Sequence, residues 1–418
     1  MKENILKISD RLIFYSLAFV IFFLPIYNSL TSFGIGLAIF SLMITFFLCW
    51  DARRLTSLSL PIYAFLSLSI LSLGNTVDLK ESLIGLRKLI MCIFLYLAVV
   101  NSVTTDKRLK YIIFILILSA SLVSLDGLYQ LMSGRDWFSA RTLMVYPHLG
   151  IKRITASFQQ AGSLGIYLGV VIPLAMSLEL FYLGGLKRLL IGGMCIVMLA
   201  ALILTFVPGA VFGVYIALST IFLIKKKKLL FLLLLLGFVL GFFLLPHSLT
   251  NWSSGAFFLT FKGRLKMWEI ALKMIKMHPL MGLGLHTFPL NYEKYCPPGY
   301  PFYGLGTPYA HNMYVHMATE IGLLGVVSFF ILIFALFKNS MAAYKKAKEE
   351  YQKVCLLGLL GAMVAFLVHG ILESSLYTSQ GAILFWILIG LTMSLCNIIN
   401  KKSLYPATHP QTEKSIYL

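Results

Sequence analysis

The chain has 418 residues, is 59% hydrophobic and only 12% charged, and carries a formal net charge of +19. A soluble domain averages about 25% charged residues, so a chain with a mean hydropathy of +0.86 cannot close its apolar surface in water and belongs in a bilayer. Much of the positive excess sits in short loops, where the preference of lysine and arginine for the cytoplasmic side accounts for it, so composition gives no reason to invoke nucleic acid as a partner.

The opening stretch MKENILKISDRLIFYSLAFVIFFLPIYNSL lacks a small-x-small cleavage site and reads as an uncleaved first helix. Apolar runs of membrane-crossing length then recur near 12–28, 31–49, 58–74, 86–102, 110–131, 160–183, 187–206, 208–224, 229–246, 311–337, 354–372 and 380–398. The break between the seventh and eighth rests only on Pro208 and Gly209. Arg53 and Arg54, Lys107 to Lys110, Lys187 and Arg188, Lys225 to Lys228, and the run from Lys338 to Lys353 fall in alternate loops, and Lys401 and Lys402 share their side. That alternation predicts both termini in the cytoplasm and an even helix count. Cys49, Cys92, Cys195, Cys296, Cys355 and Cys396 stand singly, with no Cys-x-x-Cys or Cys/His cluster.

The predicted fold is therefore all-α: a polytopic integral membrane protein of about twelve transmembrane helices, with a long periplasmic loop containing short amphipathic helices. Residues 1–246 would form helices one to nine, 247–310 the loop, 311–398 helices ten to twelve and 399–418 a cytoplasmic tail.

Two outer connections break the charge pattern. One holds Arg135, Arg141, Lys152 and Arg153, and the other Lys262, Arg264, Lys266, Lys273, Lys276 and Lys294. Long loops are largely exempt from the charge rule, so these cations are either simply solvated or form an anion site. Within the second loop, 264–277 has helical periodicity and stops at Pro279. Lys266, Glu269, Lys273 and Lys276 would face water, Leu265, Trp268, Leu272 and Ile275 would be the apolar face, and Arg264 would project toward the bundle with Trp268 and Ala271. The following stretch LMGLGLHTFPLNYEKYCPPGYPFYGLGTPY reads as irregular and aromatic.

His311 stands where this loop enters the tenth span, and an imidazole is a natural proton acceptor near neutral pH. His316 and Glu320 are one turn apart on one face and are able to pair; a structural or orienting task suits Glu320 better than a catalytic one. His369 and Glu373 repeat the spacing, with Glu373 at an outer edge. No Walker loop, HExxH or metal-holding carboxylate cluster is present, which predicts chemistry without nucleotide, metal or other cofactor.

GRLKMWEIALKMIKMHPLMGLGLHTF followed by AHNMYVHMATEIGLLGVVSFF resembles the arginine-bearing amphipathic segment, glycine-rich turn and His-Asn … Glu-x-Gly-x-x-Gly helix of the O-antigen ligase and O-antigen polymerase superfamily. KRITASFQQAGSLGIYLGVVIPLA is similar to its Arg-x-x-Gly-x-Phe region, with Ala156 where glycine is common. The resemblance implies a GT-C-like glycosyltransferase of the bacterial inner membrane. Such an enzyme takes a glycan from a polyprenyl (undecaprenyl) pyrophosphate carrier on the periplasmic face, with inversion, and passes it to a lipid A core sugar (ligase) or to a growing glycan (polymerase).

By the same resemblance, Arg264 and His311 are the catalytic candidates, holding the pyrophosphate and accepting the proton. Arg153, Lys152, Lys262, Asn312, Tyr314, His316 and Glu320 are the substrate-binding candidates. Membrane lipids, the lipid-linked glycan and the lipid A core acceptor are the implied partners. Pro208 stands where the family commonly has an arginine, so another cation such as Arg153, Lys152 or Lys262 must supply that charge or donor binding differs. A transporter or flippase is the alternative from another class. It would use the intramembrane His and Glu in a proton relay and would predict internal repeats, which the sequence does not display.

Overall fold

The computed structural model describes residues 2–48, 56–146, 151–243, 256–299 and 309–404. Each of the twelve apolar runs forms a helix: α1 (Lys2–Phe23), α2 (Asn28–Leu48), α3 (Ser59–Leu71), α4 (Leu79–Ser102), α5 (Asp106–Ser133), α6 (Ala161–Phe181), α7 (Gly185–Leu204), α8 (Pro208–Ile224) and α9 (Lys228–Phe243). Helix α10 (Ala256–Met277) and the short α11 (Phe288–Tyr295) belong to the long connection, and α12 (Met313–Lys346), α13 (Glu350–His369) and α14 (Ser379–Leu404) complete the bundle. Eight of them are long and apolar enough to cross a membrane, while α3, α8 and α9 are apolar but shorter. The chain is a multi-pass membrane protein of helical architecture.

The helices start where the sequence supplies caps. Asp78 accepts from the Glu81 N–H at the head of α4, and Thr105 accepts from the Arg108 N–H at the head of α5. Gly134, at a φ of 80°, ends α5 in the left-handed conformation that suits glycine. Pro208 opens α8 at a position where its missing N–H costs nothing. Helices α6, α13 and α14 are buried on nearly every face and form the centre. Close approach there depends on small residues: Gly213 of α8 lies against the Ala365 backbone of α13, and Gly358 against Leu174 of α6.

The ion pairs Arg108–Asp10, Lys225–Glu350 and Lys402 with Asp106 and Glu349 tie alternate connections together at one end of the bundle. Arg264–Glu373 and the bond from Asn75 Nδ2 to the Gly282 carbonyl join the connections of the other end.

Four details depart from expectation. The connection before α6 contains a two-stranded antiparallel hairpin, β1 (Met144–Tyr146) with β2 (Ile151–Arg153), in register Met144 to Arg153. Residues 288–295, read as irregular, are helical. Helix α14 runs to Leu404, past the boundary set at 398. Helix α10 buries Met267, Ile270, Ala271 and Met274, not the expected Leu265 and Leu272, which stay exposed. Two methionines flank Ile270 and Ala271 in the docked stripe, and their flexible thioethers adapt to the surface beneath the helix. Residues 244–255, 300–308 and 405–418, parts of the predicted loop and tail, lie outside the described residues.

The feature that positions the site is a break in α12. Read as one continuous span, this helix leaves helical geometry at Gly322, with φ 72° and ψ 178°. The turn 279–284 docks into the break. Leu283 N–H donates to the Thr319 carbonyl at 2.9 Å and Gly284 N–H to the Glu320 carbonyl at 3.0 Å; Leu323 N–H donates to the Pro279 carbonyl at 2.8 Å and Leu324 N–H to that of Leu280 at 3.4 Å. Backbone groups freed by a broken span must find partners, since hydrocarbon offers none, and the loop supplies them. A Cβ on Gly322 would collide with the Leu280 carbonyl oxygen, and one on Gly282 would lie 2.5 Å from the Glu320 backbone.

Candidate functional site

Three elements meet at the end of the bundle where α10 docks. Arg264, near the middle of α10, is held because Trp268 one turn later donates from Nε1 to the Ala310 carbonyl at 2.8 Å. His311 precedes α12, whose first turn is capped by Asn312; its Oδ1 accepts from the Tyr314 and Val315 N–H groups, each at 3.0 Å. Glu373 lies past the end of α13, and Met313 N–H donates to the Gly370 carbonyl at 2.7 Å to join these two segments.

The three side chains converge on one carboxylate. Arg264 Nη2 donates to Glu373 Oε1 at 2.6 Å, and His311 Nδ1 lies 2.9 Å from Glu373 Oε2. The Arg264 side chain is 14% exposed and that of Glu373 23% exposed, so the pair is partly withdrawn from water. Burial pushes the Glu373 carboxyl up, but the hydrogen bond with His311 and the Arg264 charge outweigh it and hold the group below the usual carboxylate range. An ionised carboxylate only accepts, so His311 donates through Nδ1.

His311 adopts a φ of 47°, an uncommon conformation for a residue with a side chain. Such strain persists where surrounding bonds over-determine it, here the Glu373 contact, the Trp268 bond on one side and the Asn312 cap on the other.

A hollow beside Glu373 is lined by His311, Tyr309, His369, Ser374, Gln160 and Ser163 among others. Among the described residues, Arg264 Nε, His369 Nε2 and Ser374 Oγ are buried with no hydrogen-bond partner. Unpaired buried donors are expensive, and three around one carboxylate mark a place built to receive polar groups. A larger hollow of about 100 Å³ lies among α3, α4, α12 and α14, with walls that include Phe65, Leu89, Phe329, Phe385 and Trp386. Its walls are mostly apolar, and its ionisable groups Lys88, His286 and Glu320 each have a partner.

The other sequence candidates fall in different places. His316 and Glu320, expected among substrate contacts, are both buried. Glu320 accepts from the His286 N–H at 2.8 Å and the Phe288 N–H at 3.1 Å, and lies 3.2 Å from His316 Nε2. His316 is stacked against Phe288 and lies 3.8 Å, ring to ring, from Tyr377. These two hold the connection onto α12. Tyr314 donates its hydroxyl to the Leu367 carbonyl at 2.8 Å and stacks on Phe330, away from the Arg264 cluster. Asn312 is occupied as the cap.

Lys152 and Lys262 are exposed. Arg153, on β2, donates from Nε to the Thr205 carbonyl at 2.9 Å, so its guanidinium enters the turn that contains Pro208. Beyond that turn, Gly209 lies close to His369 of the hollow. Glu373 is the site residue sequence reasoning noticed without assigning; its repeat of the His316/Glu320 spacing was the available signal. His369 shared that signal; Ser374 and Gln160 gave none.

Residues 193–330 match a family model described as O-antigen ligase. The matched stretch contains α10, the docked turn, His311 and the break at Gly322. No curated protein matches the chain.

Proposed function

Because residues 193–330 place the chain in the O-antigen ligase and polymerase superfamily, we propose that it is an O-antigen ligase of the bacterial inner membrane. It would move a glycan from a polyprenyl pyrophosphate carrier to a sugar hydroxyl of the lipid A core on the periplasmic face. The family itself supports a ligase- or polymerase-type membrane glycosyltransferase. Twelve spans, an outer position for α10 and α11 and cytoplasmic termini complete the proposal, and the gathering of alternate basic connections at one end of the bundle is in keeping with it.

The observation that carries this reading is the meeting of Arg264 and His311 on one carboxylate. A lipid pyrophosphate is already an activated leaving group, so transfer needs no nucleotide. As the anomeric C–O bond breaks, negative charge grows on the pyrophosphate, and a guanidinium stabilises it through paired N–H donors. The acceptor hydroxyl loses its proton to His311 as its oxygen attacks from the opposite face, which inverts the anomeric centre. Arg153, anchored in the Pro208 turn, supplies the second cation that the family places there.

The proposal is tested with purified protein, polyprenyl-pyrophosphate glycan and candidate acceptors, without nucleotide or added metal, and products separated on a gel. Glycan on the lipid A core supports the ligase; lengthened carrier-linked glycan makes the protein a polymerase; no transfer overturns both. Arg264→Lys keeps the charge but loses the fork and should lower the rate at least about tenfold, while His311→Ala should lower it about 10²–10⁴-fold. Transport by proton relay is disfavoured by a specific observation: His316 and Glu320, the intramembrane groups it would use, are bound to each other and to the loop backbone.

A further inference from the structure

We propose that Glu373 is the positioning residue of the transfer reaction, fixing the tautomer of His311 so that Nε2 is the atom that takes the acceptor's proton. The inference rests on the glycan-transfer reading and concerns a residue outside the stretch matched by the family.

A neutral imidazole carries one proton on one of two nitrogens, and the partner of the first decides which is left as base. Glu373 Oε2 is 2.9 Å from His311 Nδ1, and its other oxygen is engaged by Arg264 at 2.6 Å. With both oxygens accepting, Nδ1 must carry the hydrogen and Nε2 the lone pair. During transfer the acceptor oxygen bonds to the anomeric carbon, the bond to the pyrophosphate oxygen breaks with its electron pair leaving on that group, and the hydroxyl proton passes to Nε2. The resulting imidazolium is stabilised by the same carboxylate, and its proton returns to solvent after the products part.

Glu373 also couples the two halves of the site. Arg264 has donors beyond the one it spends on Glu373, and its buried Nε has no partner among the described residues, so the guanidinium is oriented by the carboxylate with hydrogens still to give. One side chain thus sets both the cation and the base.

The substitution Glu373→Gln separates this from a merely structural role. The glutamine is the same size. Arg264 only donates, so it captures the amide oxygen and turns the NH₂ toward His311. Nδ1 must then accept, the proton moves to Nε2, and the base is lost. We expect kcat to fall about 10²–10⁴-fold, with the donor KM within about threefold of wild type, because Arg264 keeps an oxygen.

Among the described residues, the charged and titratable groups around His311 are Arg264 from α10, Tyr309 ahead of α12, His369 at the end of α13, and Glu373; the head of α6 lends the hollow Gln160, Gly162, Ser163 and Ile166. Glu373→Gln added to His311→Ala should cost less than about threefold more, since the two act as a unit.

A substrate-free readout keeps the inference separable from the proposed activity. The ¹⁵N shifts of the His311 ring should report Nδ1–H in the wild type and Nε2–H in Glu373→Gln, whether or not a donor is turned over. Wild-type protein that transfers nothing refutes the activity alone. A variant within about threefold of wild-type kcat, multiplicative losses in the double variant, or an unchanged tautomer each overturns the role of Glu373.

Discussion

Gly322→Ala tests whether the break in α12 holds the site together. The backbone at φ 72° and ψ 178° lies in a region essentially confined to glycine, and alanine there costs about 1–3 kcal/mol. The new methyl would also collide with the Leu280 carbonyl and sit 2.5 Å from the Met281 nitrogen, so the turn cannot remain docked. Undocking breaks the four backbone bonds of Leu283, Gly284, Leu323 and Leu324, each worth about 1 kcal/mol net. The penalty is therefore of order 5 kcal/mol, and the cheaper escape is local detachment of residues 279–284. At about 1.4 kcal/mol per factor of ten, the local opening equilibrium should rise at least a thousandfold. Hydrogen exchange of those four amides in detergent-solubilised protein reads this directly. Gly36→Ala is the control, because nothing lies within 4 Å of its added Cβ, and a helical glycine gains about 0.5–1 kcal/mol on becoming alanine. Unchanged protection of all four amides in Gly322→Ala would refute the docking argument.

Three further outcomes follow from the same contacts. Glu320→Ala removes the acceptor of the His286 and Phe288 N–H groups; bonds to a charged group are worth about 1.5–3 kcal/mol each, so thermal unfolding should show a loss of at least about 3 kcal/mol. Asn312→Ala should cost about 1 kcal/mol of stability through the lost cap, with Asn312→Asp close to wild type; equal stabilities of the two would remove the cap from the account. For pH, the Glu373 carboxyl is held below its ordinary value of 4.5 in the folded protein, so the unfolded chain binds its proton first as pH falls. The stability this group contributes is complete above about pH 4.5 and is lost as pH drops through the lowered value. Melting temperatures between about pH 3 and 6 should carry this slope in the wild type and lose it in Glu373→Gln.

The spans and the amphipathic helix were legible in the sequence because both rest on periodicity and length. Apolar runs bounded by charged loops can do little but form membrane helices, and Lys266, Glu269, Lys273 and Lys276 can only face water. The break at Gly322 was not legible, since ATEIGLLGVV stays apolar straight through it and hydropathy does not register a dihedral angle. The docked face of α10 was misread for a related reason. Leu265 and Leu272 outrank methionine and alanine in hydrophobicity, yet the stripe 267, 270, 271, 274 has the better helical spacing, and in a membrane protein a leucine gains nothing by turning inward. Glu373 escaped assignment because its partners come from α10 and from the head of α12, far away in the chain, and no local pattern announces a shared acceptor.

Broken helices belong inside protein, not against lipid, because each freed backbone group must be met. Here the groups that meet them are the backbone of the very turn that leads out of α10. The irregularity of α12 and the placement of Arg264 are thus one structural fact: the helix opens at Gly322, the turn from Pro279 to Gly284 closes it, and α10 is carried into reach of Glu373. His316 and Glu320 extend the joint by gripping the next residues, His286 and Phe288. Two titratable groups in the span are therefore explained by holding a loop, which leaves Arg264, His311 and Glu373 as the candidates for the proposed chemistry. A substitution that loosens the joint should consequently lower transfer without touching Arg264, His311 or Glu373, and its effect should be seen in donor KM before kcat, since Arg264 rides on the element that moves.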